Sequence, residues 1–565
     1  MKKFLVILGI IVVVLILIAV ILPFVIDVNR FKPTLETDLT SALGRKVQIG
    51  NIGLSILSGS VKVDNIVIAD DPAFSHSSFL QAKQLKAGVA LIPLIFSKKL
   101  EVSSFTVTDP QVSILHSSSG KWNFSSLGQA GSNAPANAGS APSGNLPGGS
   151  SSSSSAAAGL SVAELKIVNG TIVVGRIGAG GKTQTYQDVN LEASDLSYTS
   201  QFPFKFSAKT PGDGSVKVEG KAGPVDPSDA SLTPLSATVD VEHLDIASTG
   251  FVETSSGLAG LIDFTGALAS DGHEMTSKGT VKANKIKAVA GGSPSSVPIN
   301  VDYDTTYDLK KQTGSLQQGD VHIGKALAHL TGTYDAAGVT ATVQMKLNGQ
   351  AMPVADLEGI LPAAGVTLPS GASLTAGSLD LTLAISGPVD KLVIAGPVNL
   401  SNGKLSGFNL KSKLGALGSF AGLGGGGGGS DTEIEKLSAN LHVDPSGTQA
   451  NDLDVVVPSI GTVTGTANVS AGQKLDCKMS AKLAGGIGTM TSALGSLGGS
   501  KNSQGGGIPF TITGTTSNPI FLPDVKGMAG NMVKGIGGNA TGAAGGAASA
   551  AQGALGGLFG KKKNQ

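Results

Sequence analysis

Leu379, Leu381, Leu383 and Ile385 occupy every second position of the stretch SLDLTLAI, with Asp380, Thr382 and Ala384 between them. A period of two sends successive side chains to opposite faces of a strand, so this segment has one apolar face and one polar face. The pattern recurs from Val47 to about Phe124 and in later runs such as SVKVEG, LSATVDVEHLDI, ATVQMKLNG and DLDVVVP, each bounded by Gly, Pro, Asp or Ser. A chain so patterned is mainly β, and each of its apolar faces needs something to cover it.

Composition narrows what that cover can be. Among 565 residues there are 80 glycines, aromatics are 4% and charged residues 14%, against a usual charged share of about 25%. Small residues and few rings suit one extended β architecture better than several dense cores. The net charge is +1 and the basic residues are scattered, which leaves no electrostatic footprint for nucleic acid. Cys477 is the only cysteine; it alternates with Leu475, Met479 and Ala481 and reads as a packed strand residue.

The amino terminus sets the expected location. Lys2 and Lys3 precede an apolar run from Phe4 to Ile26, about the 20 residues that cross a hydrocarbon core. A cleaved signal peptide has a shorter apolar region and a small-x-small site, and none follows here. The run reads as an uncleaved transmembrane helix over residues 4–26. Lys2 and Lys3 are the topology determinants: a cytoplasmic stub at 1–3, a single pass, and the bulk of the chain on the far side. After it, Phe31, Leu35, Leu39 and Leu43 recur in steps of four, with Asn29 as N-cap, Pro33 in the first turn and Gly44 as the stop. This short amphipathic helix either rests on the membrane or packs on a domain core.

Several features then fall in a recognisable order: the apolar run, a helix ending in Gly44 and Arg45, Asp71-Pro72-Ala73-Phe74, Pro93 and Leu94, DPQVSIL, and Trp122 with Asn123 inside GKWN. Their order and spacing resemble the amino-terminal region of the AsmA family of envelope proteins. Late in the chain, LAISGPVDKLVIAGPVNLSNGKLSGFNL and IPFTITGTTSNPIFLPDV are similar to the repeats near that family's carboxy termini. The resemblance implies an inner-membrane-anchored periplasmic protein with a β-groove, related to bridge-like lipid-transfer proteins and implicated in moving phospholipid towards the outer membrane.

The chain therefore divides into the family-like amino-terminal region at 27–127 (helix plus strands), a Gly/Ser-rich disordered linker at 128–159, an extended β-groove region at 160–525 with the family-like repeats, and a Gly/Ala-rich tail at 526–565. Further Gly-rich breaks stand at Gly422 to Ser430 and Gly485 to Gly507.

Signs of enzymatic chemistry are missing. In GTIVVGRIGAGGKT the glycine spacing fails for a phosphate loop, because Arg176 occupies the required glycine position, and the next segment reads as a strand; a hairpin is expected. His322 and His329 are the closest histidine pair, in a segment without a carboxylate cluster, so no metal site is expected. No GxSxG elbow is found. The reading is non-enzymatic, with no metal and no cofactor.

About 25 strands spaced about 4.8 Å apart would form one extended, curled, mostly antiparallel sheet. Its apolar face would be a groove lined by Leu379, Leu381, Leu383, Ile385, Leu392, Ile394, Val398, Leu400, Phe510 and Ile512. Periodicity alone fits a filled β-sandwich core as well. With the resemblance, the expected partners are membrane phospholipid, the inner membrane and envelope proteins, but no nucleic acid. The expected role is phospholipid transport to, or biogenesis of, the outer membrane; the alternative is a structural or assembly factor for outer-membrane proteins that carries no lipid.

Overall fold

The computed structural model describes residues 28–55, 59–89, 102–117, 121–127, 162–177, 183–226, 232–250, 252, 257–289, 291–338, 340–413, 429–483 and 508–524. The apolar run at 4–26, Lys2, Lys3, Pro93, Leu94, the linker at 128–159 and the tail at 526–565 lie outside the described residues. Among the described residues no helix is long and apolar enough to cross a membrane.

The chain is mainly β, with twenty-four strands and few helices among the described residues. It forms two compact units: one of Met1–Lys346, Pro362–Ala364 and Ser386–Asp390, the other of Leu347–Leu361, Gly365–Ile385 and Lys391–Gln565. The first begins with β1 (Val47–Gln48), β2 (Ile52–Ser55), β3 (Ser60–Ala69), β4 (Ser78–Val89) and β5 (Val102–His116). It continues with β6 (Val162–Arg176), β7 (Gln184–Leu196), β8 (Phe202–Lys209), β9 (Ser215–Ala222) and β10 (Leu235–Asp245). Then come β11 (Ala259–Ser270), β12 (Glu274–Lys287), β13 (Ile299–Asp308), β14 (Thr313–Ile323) and β15 (Ala326–Asp335). The division falls inside β16 (Thr342–Pro353). The second unit holds most of β17 (Ser373–Pro388), then β18 (Val393–Ser406), β19 (Thr432–Asp444) and β20 (Gly447–Val457). It closes with β21 (Gly461–Ser470), β22 (Leu475–Leu483), β23 (Ile508–Gly514) and β24 (Pro519–Pro523).

Consecutive strands are neighbours. In the first unit β3 pairs with both β1 and β2, and from β3 to β15 each strand pairs with the next. In the second, β18 to β24 do the same. These ladders are antiparallel except β5–β6, which is parallel. A parallel neighbour needs a crossover of a dozen residues or more, and the long connection from His116 to Val162 supplies it. As expected, GTIVVGRIGAGGKT belongs to a hairpin, β6 pairing antiparallel with β7.

Regular pairing is interrupted by bulges. Asn169, Asp188, His243 and Asp452 have φ of 55°, 49°, 51° and 52° and sit where the register slips. Short polar side chains tolerate this left-handed conformation best. The next strand accepts the bulge amide: His243 N donates to Asp263 Oδ1 at 2.8 Å and Asn169 N to Asn190 Oδ1 at 3.0 Å. Each bulge bends its strand and adds right-handed twist.

The bend in the second unit is large. From β18 to β24 six spacings would separate the outer strands by about 29 Å in a flat sheet. Ser370, just before β17, nevertheless hydrogen-bonds through its amide and its hydroxyl to the Ser517 carbonyl in the β23–β24 turn, at 3.0 and 3.1 Å. Thr367 meets Gln473 at 3.0 Å and also Thr516. The segment entering β17 thus straps across two hairpin turns of its own unit.

Helix α1 (Lys32–Leu43) follows a 3-10 turn at Val28–Phe31, contains Pro33 near its start and ends at Gly44 with φ 66°, a left-handed cap that glycine adopts without strain. The N-cap differs from expectation. Phe31 occupies it without a side-chain bond, and Asn29 Oδ1 instead accepts the Ile52 amide at 2.9 Å. Glu36 accepts from Ile49 N at 2.8 Å and Thr40 from Val47 N at 3.0 Å. One polar side of α1 thus satisfies unpaired amides beside β1 and β2, and Leu43 joins the core of Val47, Ile49 and Ile52.

Candidate functional site

Two arrangements stand out, a buried ionic knot and a long apolar face. The knot gathers Arg45, Asp70, Asp71, Asn123 and Ser126. Arg45 directly follows the Gly44 cap, and Asp70 and Asp71 form the β3–β4 corner. Asn123 and Ser126 belong to the 3-10 turn Asn123–Ser126. Arg45 Nη1 donates to Asp70 Oδ1 at 3.2 Å, while Nη2 donates to the Asn123 carbonyl and to Ser126 Oγ, both at 2.7 Å. Asn123 donates to both Asp70 oxygens at 3.0 Å and to the Ser113 carbonyl, and accepts from Leu115 N. Arg45, Asp70 and Asn123 are 5%, 4% and 0% exposed, so these charges survive burial only because almost every donor and acceptor is met. From the sequence, Asp70 and Asp71 read as ordinary turn residues; Asp71 is one, its Oδ1 accepting the Ala73 amide at 3.0 Å, whereas the structure makes Asp70 the buried counter-ion of Arg45.

Hydrogen bonds from the Ser126 hydroxyl and the Ala73 amide, with Arg45 close by, hold the Asp71 carboxyl below its ordinary 3.8. A carboxyl whose folded pKa is depressed adds stability above its unfolded value and loses it as pH falls through the folded value. Trp122, the one tryptophan, adjoins this corner and lies 4.6 Å from the His116 ring and 5.8 Å from Phe124. Acid titration followed by its fluorescence is expected to show this corner loosening only below pH 3.8.

The apolar face follows from register. Across the first unit Ala208, Val216, Val241, Phe264, Val281 and Val301 lie opposite one another from β8 to β13, and the row runs on through Val321 and Ala328. The row displaced by one residue is Ser207, Lys217, Asp240, Thr265, Thr280 and Asp302. One face is thus continuously apolar and the other polar. From Phe202 to Asp308 only Phe202, Ala208, Ala237 and Ala283 are buried apolar residues among those described; the valines and Phe264 of the row stay half-exposed. A second layer would bury them.

Glycines inside strands shape this face. A Cβ on Gly266 would fall 3.0 Å from the Phe264 ring. The Phe264 ring thus occupies space that a side chain at Gly266 would need. Strand glycine was legible in the composition, but it read as turn and linker material.

The residues expected to line a groove are placed as follows. Leu379, Leu381, Leu383 and Ile385 on β17 are half-exposed, while Thr382, Ala384 and Ser386 are exposed. Leu392 precedes β18; Ile394, Val398 and Leu400 face Val443, Ala439 and Leu437 across β18–β19, and Val398 and Leu400 are buried. Phe510 and Ile512 pair with Met479 and Cys477, and Phe510 is sealed in a cluster with Val463, Cys477, Met479 and Ala481. Phe510 is thus a core residue and not an open lining position. Cys477 is a packed strand residue, as read, its thiol pushed up by burial.

On the polar face His322 and His329 do meet carboxylates, supplied by pairing: Nε2 of His322 is 3.6 Å from Asp302 and Nδ1 of His329 is 2.7 Å from Asp320. Among the described residues no three such groups are arranged to hold a metal ion.

The family model described as AsmA family matches residues 1–387, more than half of the chain. No curated protein and no solved structure matches.

Proposed function

Because the chain belongs to the AsmA family, we propose that it is a non-enzymatic, inner-membrane-anchored periplasmic protein that holds lipid acyl chains along its apolar face and supports phospholipid transport to, or biogenesis of, the outer membrane. Family membership points to an envelope role; the finer reading is supported by one observation, the continuous apolar row from Ala208 to Ala328, whose valines and Phe264 are half-exposed, with polar residues one position away. Exposed apolar area costs about 25 cal/mol per Å², and an acyl chain laid on the row removes that cost. Bulges and the strap at Thr367 and Ser370 support a sheet curled into a groove. Because apolar contacts are non-directional, a chain can slide along such a floor.

The scaffold alternative would use a free sheet edge. β24 pairs with β23 alone among the described residues and exposes Ile520 and Leu522. Pro519 and Pro523 bound it, and proline removes the amide donors that strand addition needs.

The reading is tested by a photo-crosslinking residue at Leu383 and, separately, at Thr382 in cells, with lipid adducts read by mass spectrometry. Adducts at Leu383 but not at Thr382 are expected. Absence of lipid at both positions would sink lipid carriage for this segment and favour the scaffold.

A further inference from the structure

Helix α1 and the 3-10 turn that leads into it present two different sides. Asn29, Glu36, Thr40 and Leu43 are committed to the sheet edge and its core. About 100° round the helix, Phe31, Leu35 and Leu39 form a second stripe in steps of four, 62%, 40% and 40% exposed. The polar bonds on the first side prevent the helix from rolling to bury the second. One residue past the Gly44 cap, Arg45 binds the Asn123 carbonyl, so the turn bearing Phe124 is tied to the end of α1; Phe124 is 43% exposed and stacks on Trp122.

From these placements we infer that Phe31, Leu35, Leu39 and the Trp122–Phe124 tip form a collar seated in the headgroup–acyl boundary of the bilayer. The inference rests on the anchor reading of residues 4–26. Four residues lie between Ile26 and Phe31, so the two are at most about 18 Å of extended chain apart, and a membrane-spanning run holds α1 against the surface it leaves. Aromatic rings favour that boundary, and an apolar stripe about 12 Å long suits a helix lying in its plane. The collar would fix the first strands, through the Arg45 knot, at a set height and tilt on the bilayer. That is a role in placement separate from holding lipid.

The test uses the full chain in phosphatidylethanolamine–phosphatidylglycerol vesicles, with native Cys477 buried and silent. Fluorophores are attached through Leu35→Cys, Leu39→Cys or Phe124→Cys, with Leu15→Cys reporting the anchor and Lys217→Cys the polar face. Lipids carrying a quencher at acyl carbon 5 or carbon 12 are added. The expected result is loss of fluorescence with the shallow quencher at Leu35, Leu39 and Phe124, loss with the deep quencher at Leu15, and no change at Lys217. Quenching at Leu15 with none at Leu35, Leu39 or Phe124 would overturn the collar and leave the anchor standing. No quenching at Leu15 would overturn the anchor, and the collar with it.

Discussion

Arg45→Ala is expected to lower the stability of the amino-terminal part of the first unit by about 3–5 kcal/mol, the range for removing one partner of a buried ion pair. The loss follows from what remains. Asp70, 4% exposed, would be left buried without its counter-ion, and the Asn123 carbonyl and Ser126 would lose their donor. Arg45→Lys should recover only part of this, because a single ammonium cannot reproduce the fork that reaches Asp70, Asn123 and Ser126 together. Trp122, whose neighbour Asn123 is in the knot, reports the change directly through denaturant unfolding followed by its fluorescence. A midpoint for Arg45→Ala indistinguishable from the parent would show that the knot carries no stability.

The second large effect is expected on the apolar row. Val301→Asp places a charge between Val281 and Val321, in the path of any acyl chain on the floor. Displacing two to three methylene contacts at about 0.8 kcal/mol each costs about 2 kcal/mol, or roughly thirtyfold. Lipid adducts from a photo-crosslinker at Val321 should fall by about that factor. Phospholipid transfer between donor and acceptor vesicles should fall likewise, because a sliding chain must pass every point of the row in series. Val301→Leu and Thr265→Asp, the latter on the polar face, should leave both unchanged, and unaltered Trp122 unfolding would show the fold intact. Equal adduct yields for Val301→Asp and the parent would remove lipid from this face.

Strand identity was legible along most of the chain because alternation is a local property: Leu381, Leu383 and Ile385 declare their face without reference to any partner. The α1 helix was legible for the same reason, its steps of four, Pro33 and Gly44 all lying within one segment. Asn29 was misread because its amide partner, Ile52, is 23 residues away. Arg45 could be noticed as part of a family pattern, yet its function in the knot depends on Asp70 and Asn123, 25 and 78 residues on. The bulges left a usable sign: Asn169, Asp188 and Asp452 are residues that tolerate positive φ, standing inside otherwise alternating strands.

Phe510 marks the limit of periodicity as a guide. Its alternation is the same as that of Leu383, but Phe510 is sealed among Val463, Met479 and Ala481 while Leu383 is half-exposed. Whether an apolar residue is core or open floor depends on what lies above it, and a period of two carries no information about that. The sequence by itself determined which residues share a face, because side-chain direction along a strand follows from backbone geometry alone. Only the tertiary structure decided which faces stay open, where the sheet bends and how Arg45 is neutralised. Those depend on register and on contacts between residues far apart in the chain.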